Sequence, residues 1–158
     1  MPITPLHFGL LAPINHAAAT RVGTLSFILV NLWIDSLSIM AWLDGLPLPS
    51  HDEANHTYFG AFVLSTIIAA VGVRSWRWVM GAYFGGFSHI LLDSLVHPEM
   101  NPMHPTMGNP FYMGWMEPLS VALVPLTAWF IVHSVSCTLG WVRKRQEAVR
   151  ARTQEPNA

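Results

Sequence analysis

Four long apolar stretches, joined by short polar or proline-rich connections, organise this chain. Residues 22–43 are almost uninterrupted, with Asp35 as their only charge. Residues 57–73 are shorter but equally apolar, 78–96 carry His89 and Asp93, and 118–142 contain Pro125. A helix needs about 17–25 residues to cross a bilayer core. The pattern therefore predicts an all-α, polytopic membrane bundle of four transmembrane helices. Residues 4–19 are also apolar, but Pro13 interrupts them and they are too short to cross comfortably. They read as an N-terminal half-helix or re-entrant segment, with a surface-lying amphipathic helix as the alternative; irregular backbone at depth needs protein cover. Residues 1–142 then form a single transmembrane domain. Residues 143–158 form a basic cytoplasmic tail, expected to start as a short interfacial helix behind Trp141.

Composition agrees with this class. Hydrophobic residues make up 52% of the chain and charged ones only 11%, against about 25% charged in an average soluble protein. The formal charge is −1, so nothing attracts nucleic acid, and none is expected as a partner. The single Cys137 excludes an intramolecular disulfide. Residues 1–20 lack a charged start and contain Pro5 and Pro13, so no cleavable leader is expected.

The charges also supply an orientation. The cations are Arg21, Arg74, Arg77, Arg143, Lys144, Arg145, Arg150 and Arg152, all beside one set of span ends. The connections 44–56 and 97–116 hold no Lys or Arg. By the positive-inside rule, both ends of the four-span core face the cytoplasm, and the expected location is a bacterial inner membrane.

Counting depth from those cations gathers the candidate chemistry. At a helical rise of roughly 1.5 Å per residue, His7 and Asp35 each lie roughly 20 Å above Arg21. His89 lies roughly 18 Å above Arg77, Asp93 one turn higher, and His56 roughly 27 Å above Arg74. A carboxylate at such depth costs about 2.5–3.5 kcal/mol on insertion scales. With no Lys or Arg in reach, Asp35 and Asp93 need His, polar groups, water or a bound cation. His89-Ile-Leu-Leu-Asp93 puts both side chains on one helix face at i and i+4, a spacing that suits joint coordination or a simple hydrogen bond. The candidate metal ligands are His7, Asp35, His51, His56, His89 and Asp93. Mixed nitrogen and oxygen donors point to a divalent ion, Zn²⁺ first, with Mn²⁺ or Fe²⁺ as alternatives. Asp52, Glu53 and Glu117 are the candidate catalytic proton carriers. Each also reads as a solvent-facing charge, and Glu117 as a charge suited to a helix N-terminus.

The segment 97–116 follows directly on the His89/Asp93 helix. Pro98, Pro102, Pro105 and Pro110 stiffen it, so it reads either as a lid or as a docking surface for partners in a membrane-protein complex. Met100, Met103, Met107, Met113 and Met116 cluster there; thioethers suit Cu(I) but more often serve as adaptable packing.

Four patches, in order and spacing, resemble the YdjM-like family of membrane-bound, metal-dependent hydrolases. They are Thr4-Pro-Leu-His7-Phe-Gly-Leu, Trp33-Ile-Asp35, His51-Asp-Glu-Ala-Asn-His56-Thr and Gly86-Phe-Ser-His89-Ile-Leu-Leu-Asp93. The resemblance covers roughly residues 4–111 and implies metal-dependent hydrolysis. The depth of the site makes membrane lipid, or a lipid-linked ester, the expected substrate. Asp52 and Glu53 replace the Arg-Gly of the family pattern, and Asn55 replaces its Thr. An Arg there would clamp an anion; without it, a phosphate-bearing substrate would depend on metal for neutralisation. Two alternatives remain: an accessory or structural subunit of a larger membrane complex, and a metal-ion transporter.

Overall fold

The computed structural model describes residues 4–10, 21–46 and 54–154. Among them all regular structure is helical. A 3₁₀ helix covers Thr4–Leu10, and α1 (Arg21–Ile34) and α2 (Ser36–Leu43) follow. A 3₁₀ turn, Ala54–His56, leads into α3 (Tyr58–Val71), α4 (Trp76–Val96) and α5 (Met116–Gln154). Helices α4 and α5 are each long and apolar enough to cross a membrane. Helices α1 and α2 reach that length only together, as a pair bent by 64°. Helix α3 is apolar but has 14 residues.

The predicted stretch 22–43 is thus one path with an elbow, and Asp35 is the elbow residue. The backbone stays bonded through it: the Asp35 amide donates to the Asn31 carbonyl at 3.1 Å and the Ile39 amide to the Asp35 carbonyl at 2.9 Å. Neither Gly nor Pro marks the bend, which is why the apolar run reads as a single helix.

Helix α4 is the centre, packed between α1 and α3. Gly86 lets α3 come close: a Cβ there would overlap Ser65 Oγ and lie 3.2 Å from the Ala61 carbonyl oxygen. Ser65 Oγ in turn donates to the Ala82 carbonyl at 3.0 Å, and Ser26 Oγ from α1 donates to the Trp78 carbonyl at 2.7 Å. Such small residues allow contact between helices that share no hydrophobic driving force in lipid. Val30, Ile34, Ala61, Leu64, Ile90 and Met100 form the main buried cluster. Thr57 caps α3, accepting from the Gly60 amide at 2.9 Å while its hydroxyl donates to Ala54 at 2.8 Å; such a cap is worth about 1 kcal/mol. It also fixes the chain beside His56.

The N-terminal 3₁₀ helix lies against α5, where a Cβ on Gly9 would sit 2.9 Å from the Leu123 carbonyl oxygen. Leu123, Thr127 and Phe130 are the buried positions of α5, while Val121, Val124, Ile131, Val132, Val135 and Leu139 are exposed. Helix α5 continues through Gln154, so the described part of the basic tail extends this helix instead of forming a separate one. The Arg145 guanidinium rests over the Trp141 ring, 5.3 Å from its centroid.

The 97–115 segment is pinned to the end of α4. Asn109 Nδ2 donates to the carbonyls of Ser94 at 2.6 Å and His97 at 2.8 Å. The amides of Met113 and Trp115 both reach the Leu95 carbonyl. The Tyr58 amide donates to the Pro102 carbonyl at 2.9 Å, tying the same segment to the start of α3.

Candidate metal centre

The elbow, the turn before α3 and the last turns of α4 meet at one point. Asp35 comes from the elbow, His56 from the residue before the α3 cap, and His89 and Asp93 from successive turns of α4. His56 Nε2 lies 3.1 Å from Asp35 Oδ1 and 4.0 Å from Asp93 Oδ2. His89 Nε2 lies 3.3 Å from Asp35 Oδ1 and 3.1 Å from Asp93 Oδ2. All four residues are buried, and one donor atom from each falls within 4.8 Å of the others.

These separations match both a hydrogen-bonded cluster and a coordination shell. Donor atoms around a tetrahedral ion, at bonds of about 2.0–2.2 Å, stand roughly 3.3–3.6 Å apart. The observed spacings bracket that range. Moreover, His89 Nε2 is buried close to two carboxylates without an aligned hydrogen bond to either. His56 Nε2 and Asp35 Oδ1 are aligned as a hydrogen bond, so His89 Nε2 is the donor of the four that a bound cation would satisfy. The His₂Asp₂ group can hold a divalent metal ion.

His7 adjoins this group from the N-terminal 3₁₀ helix. Its Nε2 lies 3.2 Å from Asp93 Oδ1, the oxygen turned away from His89, and its Nδ1 lies 2.9 Å from His89 Nδ1. The two rings meet edge to face, with centroids 4.3 Å apart. Asp35, His56, His89 and Asp93, with His7 beside them, thus stand together in the fold.

His51, Asp52 and Glu53 lie outside the described residues. Glu117 is exposed in the first turn of α5. His97 is buried at the end of α4, where its Nδ1 lies 3.1 Å from Glu99 Oε1, and His104 is exposed.

Asn31 is the residue that sequence reasoning missed. It is fully buried, and its Oδ1 lies 2.8 Å from His89 Nδ1. An Asn one helical turn before Asp35, inside an otherwise apolar run, was the available signal. Met100 was placed in a surface loop but is fully buried in the core.

No known protein family matches the chain, and neither a curated protein nor a solved structure matches it. The chemistry of the site is argued from its own geometry.

Proposed function

We propose that this chain is a metal-dependent hydrolase of the bacterial inner membrane, acting on a lipid or lipid-linked ester. The observation that carries the reading is the set of four buried donor residues, two imidazoles and two carboxylates, whose ligand atoms all lie within 4.8 Å of one another. In the proposed arrangement four segments cross the bilayer: α1 with α2, α3, α4 and α5. Arg21, Arg74, Arg77 and the basic extension of α5 mark the cytoplasmic side, and the centre lies toward the opposite face.

Asp35, His56, His89 and Asp93 hold the ion, with Zn²⁺ the best match to mixed nitrogen and oxygen donors. Bound there, a divalent ion supplies Lewis acidity and an acidified water, the two requirements of ester hydrolysis. Asp35 is the most open of the four, its side chain 10% exposed against 3% or less for the others. Substrate therefore approaches along the elbow between α1 and α2. Helices α1 and α2 carry exposed apolar side chains, among them Leu29 and Leu37, that suit an acyl chain.

The test is elemental analysis of the detergent-purified protein beside Asp35→Asn and His89→Ala, followed by hydrolysis of a panel of lipid esters. Stoichiometric zinc in the wild type only, with zinc-dependent ester cleavage lost in both variants, is the expected result. A metal-free wild type sinks the proposal. Stoichiometric metal with no cleavage of any lipid, and a co-purifying partner, points instead to an accessory subunit; the exposed Met103, Met107 and Met113 of the pinned outer segment favour that second reading.

A further inference from the structure

The centre depends on which nitrogen of His89 carries its proton, and three hydrogen-bonding groups in sequence decide it. A backbone carbonyl can only accept. Asn31 Nδ2 lies 2.8 Å from the Phe27 carbonyl, one turn earlier on α1, so the nitrogen of the amide points there and its oxygen points away. That oxygen lies 2.8 Å from His89 Nδ1. An amide oxygen also only accepts, so His89 Nδ1 must hold the hydrogen. In the neutral ring that places the lone pair on Nε2, the atom facing Asp35 and Asp93.

We propose that Asn31 is a positioning residue that fixes the protonated nitrogen of His89 and so presents a bare Nε2 to the ion. The inference rests on the metal reading above and extends it to the neighbouring ring. His7 Nδ1 stands 2.9 Å from the same protonated nitrogen, so His7 meets it with a lone pair. A neutral His7 then carries its own hydrogen on Nε2, beside Asp93 Oδ1. His7 Nε2 stands 3.2 Å from Asp93 Oδ1 without an aligned hydrogen bond, while the other carboxylate oxygen faces His89. A metal-binding imidazole whose second nitrogen is held by a hydrogen-bond acceptor is fixed in orientation and made more basic. The acceptor here is a neutral amide, which suits a site at membrane depth because it adds no charge to be neutralised.

Zn²⁺ titration of the purified full chain, its Asn31→Leu variant and its Asn31→Asp variant tests this. Asn31→Leu is expected to weaken Zn²⁺ binding about 10–100-fold, the usual cost of losing such a partner. Asn31→Asp is expected to bind at least as well as wild type, because its carboxylate still accepts from His89 Nδ1. A role in helix packing alone predicts otherwise: both variants lose the amide donor to Phe27 and would weaken equally. Equal weakening, or no weakening in Asn31→Leu, overturns the proposal. A second measurement does not depend on how the variants fold. In the Cd²⁺-loaded wild type with isotope-labelled histidine, metal coupling is expected at His89 Nε2, with a protected proton on Nδ1 and no coupling at His7. Coupling at His89 Nδ1 overturns the proposal while leaving the metal reading intact. A wild type that takes up neither ion overturns both.

Discussion

At the scale of single residues, the centre turns on how two buried acids are neutralised. Asp93 is the pivotal one: Oδ2 faces His89 and His56, and Oδ1 faces His7. Asp93→Asn keeps the volume and removes the charge. We expect it to lower Zn²⁺ affinity by more than the about 10–100-fold typical of an outer partner, measured by titration against a competing chelator. The same logic gives a stability readout. A ligand that binds only the folded state adds about 2.7 kcal/mol at a hundred times its Kd. Wild type should therefore melt higher with Zn²⁺ and return to its starting point on chelation, whereas Asp93→Asn should melt alike in both conditions. A wild type indifferent to Zn²⁺ contradicts the coordination shell. The acids and imidazoles were legible from sequence because their depth could be counted along helices. Asn31 was not, because a neutral amide carries no insertion penalty large enough to demand a partner, and its partner lies 58 positions away.

At the scale of elements, helix contact sets the spacing that brings the ligands together. The α3–α4 contact relies on Gly86 facing Ser65. Gly86→Ala should destabilise by about 1–3 kcal/mol, the common cost of overpacking, because the new methyl overlaps the Ser65 hydroxyl. Much of that cost should vanish in a Ser65→Ala background, where the obstructing atom is gone; additive effects in a double-mutant cycle would show that the contact is looser than described. The outer segment makes a second case. Asn109 donates to the carbonyls of Ser94 and His97 at the end of α4, and the loss of these two part-buried bonds should cost about 1–3 kcal/mol. Asn109→Ala should raise hydrogen exchange across 97–115 and leave the exchange of α3 unaltered. Four apolar stretches could be read from composition, but the 64° elbow could not. The bend sits at Asp35, whose carboxylate meets His56 and His89, residues distant in sequence. The pinned segment was likewise hidden, because the hydrogen bonds of Asn109 run back to α4 over 12 and 15 positions.

At the scale of the whole molecule, cations and candidate ligands lie at opposite ends of α4. The described structure separates two ends of α4: Arg77 lies in its first turn, and Asp93 in its last. Val96 then passes directly into the segment pinned by Asn109, which carries no Lys or Arg. Helix α5, long and apolar enough to cross a membrane, joins the 97–115 segment to the basic extension, so a crossing by α5 would put these two on opposite faces. Cys137 is the single cysteine of the chain, which makes the arrangement directly measurable. In a Cys137→Ser background, Met107→Cys occupies a position that is 80% exposed in the outer segment, and Val149→Cys one that is 59% exposed on the basic extension. A membrane-impermeant maleimide added to intact spheroplasts should label position 107 and spare position 149; permeabilised cells should show both labelled. Labelling of 149 alone would invert the orientation and move the centre to the cytoplasmic half. Labelling of both in intact spheroplasts would mean that α5 does not separate two aqueous compartments. In that event the depth argument that first grouped Asp35, His89 and Asp93 would lose its physical basis, even though their side chains meet.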